Sequence, residues 1–193
     1  MAVPWIGHFM LEQTRLREWI VEAKKGDPVA FERIVILHER MVLRTAQRLL
    51  TDKEDAKDAA QEVFLRLHKT LGQFREGKEL VPWLYRITVN ICLDTKRRKR
   101  PNVALDQVPE TFDRSAGPED ALANAQDRAL IRAALAELPS RERAAIVLRD
   151  LEGCTTSEVA EILGSSETTV RSQISTGRTK IRKFVLARLG RRT

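Results

Sequence analysis

Three groups of residues in this 193-residue chain have types and spacings that could do chemistry, two by binding nucleic acid and one, acidic, that could also be the carboxylate site of a metalloenzyme. The first is "PWLYRITVNICLDTKRRKRP", residues 82–101, which begins like a core helix and ends in Lys96-Arg97-Arg98-Lys99-Arg100. At about 100° per helical residue, Trp83, Arg86, Asn90 and Arg97 fall within roughly 60° of one another, and Leu84, Ile87, Ile91 and Thr95 occupy a separate arc. Aromatic and guanidinium planes stack on unpaired bases, amides read base edges and cations hold phosphates. This inventory predicts a helix anchored on its apolar arc that offers the other face to single-stranded or partly melted DNA. For Trp83 the alternative is a helix-start residue packed on the core.

The second group lies in "TTSEVAEILGSSETTVRSQI". Val159, Ala160 and Leu163 make one face of a short helix, and Gly164 stands where that helix must end in a left-handed residue. Ser165 or Ser166 can cap the next helix, with Glu167 at its positive end. Val170, Ile174, Ile181 and Val185 then form a buried stripe, opposite Arg171, Ser172, Ser175, Arg178 and Arg182. From Thr168 to the C-terminus there are eight basic residues and no acidic one. Arginine grips guanine bidentately, Ser and Thr hold phosphates, and the start of such a helix enters the major groove. The layout predicts a helix-turn-helix; the alternative is a helical hairpin with a solvated basic face.

The third group is acidic. "TDKEDAKDAAQEVFLRLHKTL" puts Asp55, Asp58 and Glu62 on one helix face, away from the stripe Ala56, Ala59, Val63 and Leu67. A carboxylate metal site and a solvated acidic face are both open readings. The Glu-x-x-His spacing of helical metal sites is absent, and His38 and His68 do not supply it.

The elements that must position these groups are helices. Hydrophobic content is 42% with 32% charged residues, and glycine and proline are few. Asp27-Pro28 marks one helix start, after which Phe31, Ile34, Val35, His38, Val42, Ala46 and Leu49 recur at helical spacing. A second helix is expected over about 52–71 and a third from near Pro82. Further helices are expected over roughly 124–137, 140–151, 155–163 and 166–188, and "LREWIVEAKKG" is expected to be helical as well. Charge divides the chain: 20 Lys/Arg against 14 Asp/Glu in residues 1–100, 2 against 6 in 101–130, and 12 against 7 in 131–193. The middle stretch, "PNVALDQVPETFDRSAGPED", holds three prolines and no sustained periodicity. The expected architecture is all-α: one small helical domain over 1–100, an irregular linker over 101–123, and a second over 124–193.

The net charge of +7 points to a polyanionic partner, most simply nucleic acid. Two cysteines, Cys92 and Cys154, form neither a metal spacing nor a disulfide framework, which suits a reducing cytoplasm. No apolar run approaches the roughly 18 residues of a membrane span. "MAVPWIGHFM", lacking a basic start and interrupted by Pro4 and His8, is not read as a signal peptide. Neither a Walker motif, a nucleophile elbow nor a Cys/His cluster is present.

"LPSRERAAIVLRDLEGCTTSEVAEILGSSETTVRSQISTGRTKIRK" resembles the fourth region of bacterial sigma-70 family sigma factors, most closely the extracytoplasmic-function (ECF) class. "DAKDAAQEVFLRLHKTL" is similar to the second conserved region of that family, and "WLYRITVNICLDTKRR" to its promoter-melting segment. The resemblance implies an alternative sigma factor with no catalytic residue, metal or cofactor. It implies that Asp55, Asp58, Gln61 and Glu62 dock on the clamp-helices coiled coil of the largest subunit of core RNA polymerase. The second domain would meet the flap of the second-largest subunit. The −10 element would be read and melted by Phe74, Arg75, Lys78, Trp83, Arg86, Asn90, Asp94, Arg97 and Arg98, with the loop "FREGKEL" capturing a flipped base. The −35 duplex would be read through Thr168, Thr169, Arg171, Ser172, Ser175 and Arg178. An anti-sigma protein is a further implied partner. The chain departs from the family pattern at Glu76 and Lys78, at Gln173, Ser175 and Thr176, and at Gly177, where alanine is usual. The alternative function is a free-standing helix-turn-helix regulator that dimerises through its N-terminal helices.

Overall fold

The computed structural model describes residues 4–75, 77–99 and 118–189, and side chains from residue 14 and, in the second half, from residue 126. Among the described residues there are eight α-helices and no strand. Helix α1 (Pro4–Lys24) leads by a tight turn into α2 (Pro28–Leu49), which begins where sequence predicts. The Asp27 carboxylate accepts from the backbone N–H groups of Val29 and Ala30, and Pro28 takes the first turn, where its missing N–H costs nothing. Helix α3 (Lys53–Thr70) is capped by Asp52, which accepts from the Asp55 N–H. A 3-10 turn (Leu71–Gln73) and a short loop lead to α4 (Leu80–Lys99).

The stripes expected from periodicity are the ones buried. Ile34, His38, Val42, Ala46 and Leu49 of α2 face Ala56, Ala59, Val63 and Leu67 of α3 and Leu84, Ile87 and Ile91 of α4. Each fully buried aliphatic side chain contributes about 1.5–3 kcal/mol relative to exposure. Helix α1 closes the fourth side by packing on α2.

The second half starts earlier than expected. Helix α5 runs Pro118–Ala136, so residues 118–123 are helical instead of belonging to an irregular linker, and Pro118 takes the start position that proline tolerates. The rest of the expected linker, 101–117, lies outside the described residues. Helix α6 (Ser140–Ile146) runs into a π turn (Val147–Leu151) closed by the Glu152 N–H on the Val147 carbonyl at 2.9 Å. Helix α7 (Thr156–Leu163) opens on a capping box, Thr155 with Glu158, and ends at Gly164 with φ 58°. That left-handed conformation suits glycine, as the sequence required. Helix α8 (Glu167–Leu189) follows, with the Ser166 hydroxyl accepting from the Thr169 N–H. Val170 and Ile174 are buried, and Ile181 packs against the same core.

The two halves touch. Helix α4 packs on α7, and α2 on α5 and α6, so one continuous core links them. Buried Arg143 ties the junction. Its guanidinium donates to the Leu49 carbonyl at 2.9 Å and to the Ala136 and Leu138 carbonyls, and burial pulls its pKa down to about 10.

Candidate nucleic-acid and protein interfaces

Helix α4 presents the mixed face predicted for it. Arg86, Asn90, Arg97 and Arg98 are exposed and Trp83 is half-buried, while Leu84, Ile87 and Ile91 face the core. Asp94 lies on the outer face and holds Arg97 at 2.9 Å, which fixes the guanidinium along the helix. Trp83 packs on the core and is only partly buried, as a helix-start residue would be. Phe74 is placed differently from a base-contacting residue. It is 8% exposed and stacks under Trp83, with ring centroids 5.1 Å apart and planes at 27°, so it supports the tryptophan from below. In the adjoining loop Arg75 and Lys78 are exposed, and Glu76 lies outside the described residues. Gly77 has φ 82°, a turn that a side chain would strain. The loop is pinned at its start by Lys24 of α1, whose ammonium donates to the Phe74 carbonyl at 2.9 Å.

On α3, Asp58 and Gln61 are exposed, and Glu62 is half-exposed with Arg66 at 3.3 Å. Asp55 is not free. Both its oxygens accept from Lys99 of α4, at 2.5 and 2.7 Å, its side chain is only 18% exposed, and the pairing raises the Lys99 pKa. Leu65, 57% exposed, sits on the same helical face as Asp58, Gln61 and Glu62, an apolar centre in a polar rim. Its signal in the sequence was a leucine falling on the side opposite the buried stripe. Among the described residues, no group of three or more His, Cys, Asp or Glu gathers as a metal site would need.

On α8 the outer face carries Thr168, Arg171, Ser172, Ser175 and Arg178, all exposed. Arg171 pairs with Glu167 at 2.5 Å one turn back. Arg178 is held by both oxygens of Asp150, at 2.9 and 2.6 Å, which raises its pKa. The π turn is what brings Asp150 there. Thr169 is exposed, but its hydroxyl is bonded to Ser166 at 2.8 Å in the helix cap. Gln173 is half-buried, with its Oε1 turned away from solvent. Gly177 also faces inward, where a Cβ would meet Ile146 Cγ1 at 2.8 Å.

A helix-turn-helix packed on a four-helix unit with an amphipathic aromatic-basic helix defines a class of protein, and comparison with known proteins agrees. Residues 34–101 match the family description "Sigma-70 region 2", and residues 128–181 match "Sigma-70, region 4". The fold is shared with solved structures. CnrH in complex with the cytosolic domain of CnrY superposes with a TM-score of 0.67 at 22% identity, covering 90% of this chain and 98% of that one. The RpoE–NepR complex from Bartonella quintana gives 0.67 at 20% identity, covering 80% and 96%.

Sequence relatives are closer. The ECF RNA polymerase sigma factor SigM of Mycobacterium tuberculosis is 35% identical over 162 residues, covering 83% of this chain and 79% of the relative. SigW of Bacillus subtilis is 30% identical over 178 residues, covering 87% and 95%. The chain belongs to the family of ECF RNA polymerase sigma factors. It is an alternative sigma factor, directing RNA polymerase in transcription initiation by binding and not by catalysis. Among the described residues, no helix is long and apolar enough to cross a membrane.

Proposed function

We propose that the three surfaces divide the work of initiation between two partners of opposite sign. Asp58, Gln61 and Glu62 of α3, around Leu65, dock on the clamp-helices coiled coil of the polymerase largest subunit, with Asp55 at the edge of that contact. The second helical unit, which begins with α5, meets the flap of the second-largest subunit and lays Thr168, Arg171, Ser172, Ser175 and Arg178 along the −35 duplex. The first unit, residues 1–100, reads and opens the −10 element with Arg75, Lys78, Trp83, Arg86, Asn90, Arg97 and Arg98. Phe74 and Asp94 act there as supports, through the Trp83 stack and the Arg97 pair.

The observation that carries this reading is the adjacency of opposite charge on two packed helices. Helix α3 exposes carboxylates and an amide around one leucine, and α4 beside it exposes an aromatic, an amide and arginines. A basic face holds phosphates and stacks on bases. An acidic patch with an apolar centre suits a basic helical surface. An anti-sigma protein is a further partner. The shared fold supports this, since RpoE was solved with the anti-sigma factor NepR.

The test is to mix the full chain with core RNA polymerase and measure co-elution and transcription from fragments of the source genome. Co-elution with promoter-specific transcripts is expected. Tight binding to a palindromic duplex without polymerase, and no co-elution, would replace this reading with that of a free-standing regulator.

A further inference from the structure

Helix α1 takes no part in the DNA and polymerase surfaces assigned above, yet its last turn reaches the loop between the 3-10 turn and α4. Lys24, half-buried, donates to the Phe74 carbonyl at 2.9 Å across 50 residues of chain. Its own backbone is firmly held. The Gly26 N–H closes on the Ala23 carbonyl at 3.0 Å and the Asp27 N–H on the Glu22 carbonyl at 3.2 Å, so α1 passes directly into the cap of α2. Helix α1 also packs on the 3-10 turn itself. Phe74 is thereby fixed in three ways: its N–H donates to the Leu71 carbonyl at 3.0 Å, its ring stacks on Trp83, and its carbonyl is taken by Lys24. The peptide unit that follows is planar and trans, so a carbonyl held on the α1 side sets the Arg75 N–H on the opposite side. From that fixed plane the chain makes a turn. The Lys78 N–H donates to the Arg75 carbonyl at 3.3 Å, and Gly77 stands at the third position, where a type II turn needs positive φ. The far end of the loop is anchored by Leu80, which is buried. Arg75 and Lys78, both exposed, are thus carried between two anchors, and the first anchor depends on a lysine of another helix.

We propose that Lys24 is a positioning residue for −10 reading, and that α1 serves as the brace of the turn that carries Arg75 and Lys78. The proposal rests on the reading above, in which Arg75, Lys78 and Trp83 meet the −10 element. A hydrogen bond from a charged donor is about twice as strong as a neutral one. Without it the peptide between Phe74 and Arg75 is free to rotate, and the turn leaves the position from which it reads. A reader's apparent affinity falls with the fraction of molecules that hold the competent form. The preferred −10 sequence is bound through that form, whereas other sequences are held through the phosphate backbone, which any loop position can reach. Loss of the brace therefore lowers base discrimination more than it lowers overall binding. A merely structural lysine would behave differently, lowering stability and leaving discrimination alone.

The experiment compares the full-length parent with Lys24→Met, which keeps the aliphatic stem and a good helix former, and with Lys24→Arg, which restores a charged donor. Hydrogen exchange is measured first, on the free proteins. Amides of residues 75–79 should exchange about tenfold faster in Lys24→Met, as loss of a bond to a charged group implies. Exchange in α2, α3 and α4 and the unfolding midpoint should stay close to the parent's. Holoenzymes are then offered the promoter fragment recovered in the transcription test above, with its −10 element randomised, and the bound DNA is sequenced. Lys24→Met should select the preferred −10 sequence at least about threefold less strongly than the parent. Its co-elution with core polymerase and its affinity for the −35 duplex should be kept, and Lys24→Arg should recover the selection. Parent-like exchange at residues 75–79 in Lys24→Met would overturn the brace whether or not polymerase binds. Faster exchange with undiminished selection would overturn the role of Lys24 in −10 reading. A parent holoenzyme that itself selects no −10 sequence would refute the underlying reading, a result distinct from either of these.

Discussion

Gly177 sits in the middle of α8, where sequence reasoning sees only a cost: glycine in a helix interior is about 1 kcal/mol worse than the alanine usual in this family. The structure reverses the expectation for Gly177→Ala. An alanine Cβ would stand 2.8 Å from Ile146 Cγ1 and 3.3 Å from its Cδ1, with Leu138 Cδ1 at 3.7 Å. Ile146 is buried, and its β-branched side chain has one strongly preferred rotamer in a helix, so it cannot swing aside cheaply. Overpacking of this kind costs about 1–3 kcal/mol. Against a propensity gain of about 1 kcal/mol, Gly177→Ala should be neutral or destabilising by up to about 2 kcal/mol. Ile146→Ala alone should cost about 2–5 kcal/mol through lost burial and a cavity. In that background the obstructing atoms are gone, and Gly177→Ala should stabilise by about 1 kcal/mol. The effect of one methyl group should therefore change sign, with a coupling of about 1–3 kcal/mol. Denaturant unfolding of the four proteins, followed by circular dichroism, measures it as shifts in midpoint at constant slope. Stabilisation by Gly177→Ala in the parent, with the two substitutions additive to within about 0.5 kcal/mol, would refute the packing argument.

Asp58→Ala with Glu62→Ala should weaken binding of core polymerase while shifting the unfolding midpoint little, since surface changes usually stay within about 0.5 kcal/mol each; unchanged affinity in a pull-down titration would move the docking face elsewhere. Arg171→Ala should cost about 1–3 kcal/mol on the preferred −35 duplex and relax specificity, whereas Arg178→Ala should weaken all sequences alike and lower the salt slope by about one. The Arg178 loss should shrink in an Asp150→Asn background, because the deleted guanidinium otherwise leaves the Asp150 carboxylate unpaired; fluorescence anisotropy across salt concentrations separates the patterns. Asn90→Ala and Arg97→Ala should reduce permanganate reactivity of −10 thymines more than they reduce closed-complex binding, given about 1–3 kcal/mol per stacked base. Parent-level reactivity in both variants would mean that the exposed face of α4 is solvated surface only.

Local chemistry was legible from the residues alone. The Asp27 cap, the left-handed Gly164, the stripes of α2, α3 and α4 and the outward basic face of α8 all follow from residues within a few positions of one another. Helical periodicity, caps and turn glycines act over that range, so the helix-turn-helix and the mixed face of α4 could be drawn before any tertiary contact was known. What the sequence could not provide is how those faces are occupied. Asp55 is held by Lys99, 44 residues away, and Arg178 by Asp150, 28 residues away. Neither pair has a periodic signature, because each depends on how two helices cross. Phe74 was read as a surface residue, since a loop phenylalanine looks exposed until Trp83 closes over it. The early start of α5 was missed because Pro118 and Glu119 read equally well as linker or as a helix N-terminus. Glu152 accepts from Arg48, 104 residues away, and from Tyr85, 67 residues away, beyond the range of any periodic signal. Its carboxylate meets these donors only because α2, α4 and the π turn come together there, and folding alone decides which donors converge on a buried charge.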